Sequence, residues 1–232
     1  MDWHVQYISS RFFRQAKLSV TLPPPSSRAP GRPKDPGKRE AIIAAAKAQF
    51  LARGFAGVTM EAVASAANVS KMTVYGHFGD KEALFEAVVQ RTTQDVFGHI
   101  ADLARRDGTL QEALAAFGRS FLRLVCNPAI VAADRSLLSA LADNPALARR
   151  FYDAGPGQTR ALLAGILADA DARGEIAAAV PAEAAEDLLS LWSGSLPKCL
   201  ALGVSDPPDE AGIARQVSRA TAVFLRAYAP SR

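Results

Sequence analysis

The stretch VSKMTVYGHFGDKEAL, Val69–Leu84, decides how this chain is read. Placed on a helical wheel at 100° per residue, Val74 and Phe78 share the side that must meet the preceding helices. Met72, Thr73 and Gly76 fall opposite them. Lys71 and Tyr75 flank one edge of that outward face and His77 flanks the other. Phe78 therefore reads as core, while Tyr75 sits where its hydroxyl can reach outward. A helix entering a major groove needs small or apolar groups at its centre, to approach base edges and thymine methyls. It needs hydrogen-bonding groups at its flanks, to hold phosphates and set register. Residues 71–78 meet both requirements, and Ser70 heads a helix N-terminus that itself attracts phosphate.

The surrounding sequence supplies the rest of a helix-turn-helix. Upstream, Ile42, Ile43, Ala46 and Phe50 recur at helical spacing, and Gly54 reads as the stop. Thr59 is an N-cap for a second helix that turns Val63, Ala64 and Ala67 inward. Asn68-Val69 reads as a tight turn, Ser70 caps the third helix and Gly79 ends it. Asp80 then caps a long fourth helix, through about Asp102, with Leu84, Val88 and Phe97 inside. Two packed helices with a polar surface would show a similar pattern. The basic residues just before and at the start of helix one, Arg28, Arg32, Lys34, Lys38 and Arg39, favour the DNA reading, because such arms enter minor grooves. The charge follows the same division. Residues 1–58 carry ten Lys and Arg against three acids, whereas the remainder is slightly acidic, on a chain of net charge +4.

The 232 residues, 49% hydrophobic and 22% charged, have the composition of a globular protein with one large core or two small ones. Residues 1–30, ending in TLPPPSSRAPG, read as an extended basic segment. The body reads as helices over about 109–126, 128–142, 144–154, 156–173, 181–202 and 207–228. The dipeptides Asn127-Pro128, Asn144-Pro145, Gly155-Pro156 and Pro207-Pro208 punctuate them. Pro197 should kink or end its helix. The expected fold class is all-α: an N-terminal three-helix helix-turn-helix domain plus a C-terminal helical ligand-binding and dimerisation domain. The expected division is a flexible basic extension over 1–36, a DNA-binding domain over 37–83, and an effector-binding and dimerisation domain over 84–228.

GKREAIIAAAKAQFLARGFAGVTMEAVASAANVSKMTVYGHFGDKEALFEAVV, from Gly37, resembles the DNA-binding domain of the TetR family of transcriptional regulators. The resemblance is carried by Phe50, Gly54 and Phe55, by Thr59, by Ser70 to Phe78, and by Lys81 to Leu84. It implies phosphate contacts from Thr59, Tyr75, His77 and Lys81, and base contacts from Met72, Thr73 and their neighbours. Gly76 departs from the pattern, since larger polar side chains are common there. NPALARRFYDAGPGQTRALLAGILADADARGEI, from Asn144, is similar to the C-terminal domain of the AefR-like branch. The family implies a homodimer on a double-stranded DNA operator, released by a small-molecule effector.

The DNA-binding residues expected are thus Arg32, Lys34, Thr59, Ser70, Lys71, Met72, Thr73, Tyr75, Gly76, His77 and Lys81. An effector cavity is expected around Phe117, Phe121, Leu138 and Trp192, taking an apolar or aromatic molecule with few polar atoms. Arg123 and Arg135 read as surface salt-bridge residues or as answers to an anionic ligand. A two-fold dimer is expected through helices near 156–173 and 181–202, on the apolar surface of Leu162, Leu163, Ile166, Leu188, Leu189, Leu191, Trp192 and Leu196. No run of about 18 apolar residues suggests a membrane span, and no membrane partner is expected. Cys126 and Cys199 form no CxxC and suit a reducing cytoplasm. His4, His77 and His99 stand far from any metal-ligand grouping, so no cofactor or metal is expected. Ser193-Gly194-Ser195 lacks a nucleophile-elbow pattern, and no catalytic residue is expected. The alternatives are an activator of the same fold or a ligand-independent regulator, an enzyme using the C-terminal cavity, and an interaction protein whose basic arm meets acidic partners or membranes.

Overall fold

The computed structural model describes residues 36–106 and 109–230, and these belong to one compact unit. Eleven helices and no strand occur among the described residues. They are α1 (Pro36–Arg53), α2 (Met60–Ala66), α3 (Lys71–Phe78), α4 (Lys81–Arg106), α5 (Leu110–Val125), α6 (Pro128–Ala142), α7 (Pro145–Ala154), α8 (Pro156–Ala172), α9 (Pro181–Ser193), α10 (Leu196–Leu202) and α11 (Glu210–Ala227).

The local signals act as expected at most helix ends. Thr59 Oγ1 accepts from Ala62 N–H at 3.2 Å, Ser70 Oγ from Thr73 N–H at 3.1 Å, and an Asp80 carboxylate oxygen from Ala83 N–H at 2.6 Å. Each satisfies an amide that the first helical turn leaves unpaired. The turn between α2 and α3 places Asn68 at φ +52°, a region asparagine tolerates better than most residues. Asn127 and Asn144 are more than punctuation. Their side chains cap α6 and α7, and the prolines after them occupy the first helical turn, where a missing N–H costs nothing. The helix expected over 181–202 is two helices. The break falls at Gly194-Ser195, where Gly194 adopts φ +50°, and Pro197 lies in the first turn of α10. Proline there starts a helix rather than kinking one.

Two contiguous cores organise the chain. The smaller contains Ile42, Ile43, Ala46, Phe50, Val63, Val74, Leu84 and Phe85, joined by Leu137 from α6 and Leu147 from α7. The larger runs from Phe97 to Phe224 and contains Phe117, Leu163, Leu188 and Trp192. Helix α4 serves both, packing on α1 and α7 and also on α5 and α8. Gly54 ends α1 at φ +68° and permits close approach of α6: a Cβ at that position would stand 2.5 Å from Ser136 Oγ. Phe78, expected in the core, is only half-buried against it, with the Arg39 guanidinium 5.3 Å from its ring centroid. One turn beyond Val74, the short helix is already leaving the core.

The leucines expected to form a dimer face are mostly claimed by the chain's own interior. Leu163, Ile166, Leu188 and Trp192 are buried, Leu162, Leu189 and Leu196 are half-buried, and Leu191 is exposed. Their abundance reflects the packing of α8 on α9 and of α9 on α11. Cys126 is buried, Cys199 half-buried, and both are free. Among the described residues, no single helix is long and apolar enough to cross a membrane.

Candidate nucleic-acid interface and effector cavity

Helix α3 buries Val74 completely and turns its other face outward. Met72 is 77% exposed, and a Cβ built on Gly76 meets nothing within 4 Å. Thr73 is half-buried; its hydroxyl pairs with that of Ser70 at 2.8 Å, so the two form one polar corner at the head of the helix. Tyr75 is exposed at the edge and His77 is half-buried on the other side. The wheel is therefore reproduced, with an open centre and polar margins.

Two of the cations are already engaged. The Lys71 ammonium pairs with Glu61 of α2 and lies 5.5 Å from the Tyr75 ring centroid. That contact holds the Glu61 carboxyl below its ordinary range and raises the Lys71 ammonium. Both groups are fully solvated, so the pair contributes little to stability. Lys81 donates to the carbonyls of Phe55 and Val58, at 3.0 and 3.2 Å, with its Nζ 4.4 Å from the Phe55 ring centroid. An ammonium has three N–H groups, so one remains. Lys81 thus ties the α1–α2 turn, one residue short of the Thr59 cap, to the start of α4. Arg28, Arg32 and Lys34 lie outside the described residues.

The effector residues expected from sequence separate into three environments. Phe117 and Trp192 are sealed core. Phe117 stacks on Phe97 at 4.6 Å between centroids and on Trp192 at 6.1 Å, and the Trp192 indole donates to Thr221 Oγ1 at 3.0 Å. Gly118 completes the seal, because a Cβ there would stand 2.8 Å from the indole and from Val217. Leu138 points away from the interior and is 66% exposed, while its neighbour Leu137 faces inward. Phe121 alone borders a cavity.

That cavity, of about 390 Å³, lies nearer the small core than expected. Phe50, Leu51 and Phe55 close it from α1 and the turn after it; Phe85 and Val89 close it from α4. Ile130 and Leu137 of α6, Phe151 of α7 and Leu189 of α9 supply further apolar wall. The rings of Phe50, Phe55, Phe85 and Phe151 form one connected aromatic group, with centroid separations from 5.1 to 6.1 Å. Polar atoms are sparse: Lys47, Thr92, Thr93, Asp134, Thr159, Arg160 and Glu186. Arg123 and Arg135 belong elsewhere. The former makes a two-point pair with Glu210, and the latter donates to the Leu200 carbonyl at 3.1 Å. The sequence signal that could have pointed to the cavity is Asp134, an acid in the segment AIVAADRSLL of α6.

Comparison with known proteins agrees with this architecture. Residues 42–88 match the model of the bacterial regulatory proteins of the tetR family, and residues 112–230 match that of the AefR-like transcriptional repressor C-terminal domain. The flavonoid-responsive regulator FrrA is 34% identical, over 84% of this chain and 98% of its own, with a TM-score of 0.61. A regulator structure from Mesorhizobium loti is 27% identical, over 83% and 96% of the two chains, with a TM-score of 0.71. The HTH-type transcriptional regulators YdeS of Bacillus subtilis and AlkX of Mycobacterium tuberculosis are 33% and 28% identical, over 38% and 53% of this chain. The chain spans about half the length of those two curated relatives, 54% and 57%. With one model covering the helix-turn-helix and another the helical body, this chain belongs to the TetR family of transcriptional regulators.

Proposed function

We propose that the chain is a repressor, held as a homodimer on a two-fold-symmetric operator and released when a small aromatic molecule fills the cavity beside Phe85. The division into a DNA-binding part over 37–83 and an effector and dimer part over 84–228 is kept, with α1 added to the effector wall. Met72, Thr73 and Gly76 set which bases are accepted. Thr59, Ser70, Lys71, Tyr75, His77, Lys81 and the upstream Arg32 and Lys34 hold phosphates and fix register. Each dimer half then meets one half-site, with α3 helices one DNA turn or a multiple apart.

The observation that carries effector release is that the cavity wall is shared. Phe50, Phe55 and Phe85 belong to the small core that supports α3, and the same rings face the cavity. A molecule inserted there touches the rings that pack α1 against the first turns of α4, so it can favour one arrangement of them over another. It releases DNA only if it prefers the repacked state, and a hundredfold loss of operator affinity requires a hundredfold preference. The aromatic wall supports a ring-containing effector, and so does the name of the 34% identical relative, which records a response to flavonoids.

The test is selection of bound duplexes from a random pool by the full chain, followed by titration at several salt concentrations. A recovered two-fold-symmetric site, bound far more tightly than scrambled duplex, is the expected result. Equal retention of all duplexes would leave only a basic arm holding a polyanion.

A further inference from the structure

Three polar residues are buried among the described residues: Thr93, Thr159 and Thr221. Thr221 accepts the Trp192 indole N–H in the sealed core. The other two line the cavity, Thr93 from α4 and Thr159 from α8. Their helices approach closely at Gly155 and Val89, since a Cβ on Gly155 would stand 2.9 Å from Val89 Cγ1. Thr93 and Thr159 each lie about one helical turn beyond that point. Their hydroxyls are not equivalent. Thr93 has spent its proton on the Val89 carbonyl at 3.1 Å, so toward the cavity it can only accept. The Thr159 hydroxyl has no hydrogen-bond partner among the described residues. Nor is it one of the wholly covered unpaired atoms, which are Gln49 Oε1, Gln158 Oε1 and Arg160 Nε. Thr159 is only 6% exposed and lines the cavity, so the surface its oxygen keeps faces that space.

The neighbouring Arg160 sets the charge. Its terminal nitrogens engage Glu186 and the Tyr152 hydroxyl, the latter at 2.6 Å, and its Nε–H is buried without an acceptor. The charge is thus matched while a donor remains unspent. Lys47 and Thr92 are half-buried and Asp134 is exposed, so water reaches each of them. The buried part of the wall therefore holds unspent donors on two consecutive residues and no unmatched charge.

Resting on the effector reading above, we infer that Thr159 selects the effector, which is an uncharged aromatic molecule whose carbonyl oxygen accepts a hydrogen bond from the Thr159 hydroxyl. Selection arises from what the wall lacks. A hydrocarbon of the same shape fills the space but leaves the buried hydroxyl unpaired. A carboxylate finds no unmatched cation in the buried wall to offset its lost hydration, and an ammonium meets donors.

Four probes share one two-ring frame: benzophenone, diphenylmethane, diphenylacetate and benzhydrylamine. Each is titrated calorimetrically with the full chain, with Thr159→Val, which keeps the shape and removes the hydroxyl, and with Thr159→Ser, which keeps the hydroxyl. The readout is the affinity for benzophenone relative to diphenylmethane, in which general changes to the cavity cancel. We expect this ratio to fall about threefold to tenfold in Thr159→Val and to stay within about twofold in Thr159→Ser. Both ions should bind more weakly than benzophenone. Thr159→Val should have a Tm no lower than the unmodified chain, because it removes an unpaired hydroxyl. A ratio unchanged in Thr159→Val, a ratio lost equally in Thr159→Ser, tighter binding of either ion, or a lowered Tm in Thr159→Val would overturn the role of Thr159 and leave the cavity standing. Failure of all four probes to bind would remove the effector cavity itself, and this inference with it.

Discussion

Two groups of aromatic rings, one in each of the two cores, have been put to opposite uses. Phe97, Phe117 and Trp192 stack without a gap, and the indole N–H is paired with Thr221. Phe50, Phe55, Phe85 and Phe151 touch one another at similar separations yet leave about 390 Å³ open beside them. The difference lies in what faces the rings. Gly118 lets α5 close on Trp192, whereas the floor of the cavity is made by α6 and α8 with Ala133, Gly155 and Pro156. Ring content alone does not mark a binding site; the small residues opposite the rings decide whether space is filled or kept.

The largest effect should come from breaking the sealed group. Phe117→Ala removes a ring with no exposure and should cost about 3–5 kcal/mol in denaturant unfolding. Binding of an apolar probe by the fraction still folded should be little changed, because Phe117 does not border the cavity. Gly118→Ala tests the same seal from its other side. The new Cβ meets the indole, and overpacking of this kind costs about 1–3 kcal/mol. If Gly118→Ala is neutral, Trp192 has room to move and the sealed group is not sealed.

Gly76→Ala should act in the opposite direction. Nothing surrounds that position, so replacing a helix-interior glycine should stabilise the fold by about 0.5–1 kcal/mol, seen as a rise in Tm. Gly76→Arg should likewise fold, and should change which duplexes are preferred. Lys81→Ala should do two things, because Lys81 ties the α1–α2 turn to α4. It should weaken all duplexes together, lower the salt slope by about one, and also reduce stability by about 1 kcal/mol.

The smallest effect concerns Asp134 and pH. Its folded-state pKa lies above the ordinary value of 3.8, so the fold favours the neutral acid. The stability this contributes is fully present below 3.8 and is lost as pH rises through the folded-state value. Asp134→Asn should therefore raise Tm at pH 7, by under about 2 °C, and the gain should vanish in acid. A Tm difference independent of pH would contradict the raised pKa.

Most of the fold was legible because its signals are local. Thr59, Ser70 and Asp80 are caps whose hydrogen bonds span three residues, and the outward face of α3 follows from helical geometry alone. The cavity was legible only as a class of feature. Phe117 and Phe121 lie on the same helix, yet one is core and the other is wall, since the distinction depends on α9 and α11 arriving from far along the chain. Leu138 and Leu137 differ by one helical step, and only the packing of α6 against α1 and α7 decides which turns inward. The partners of Lys71 and Lys81 were equally out of reach, because Glu61 and the Phe55 and Val58 carbonyls lie across helix–helix contacts that no spacing encodes.

On the proposed function, the space beside Phe85, and not the region around Trp192, couples to DNA release. The direct measurement is fluorescence anisotropy of the selected operator duplex during titration with N-phenyl-1-naphthylamine, whose own emission reports burial. It is made on the unmodified chain and on Ala133→Phe, which places a ring in the cavity. The unmodified chain should bind the probe and release the duplex; Ala133→Phe should hold the duplex but neither bind the probe nor respond to it. Release from Ala133→Phe at the same probe concentration as from the unmodified chain would contradict the account.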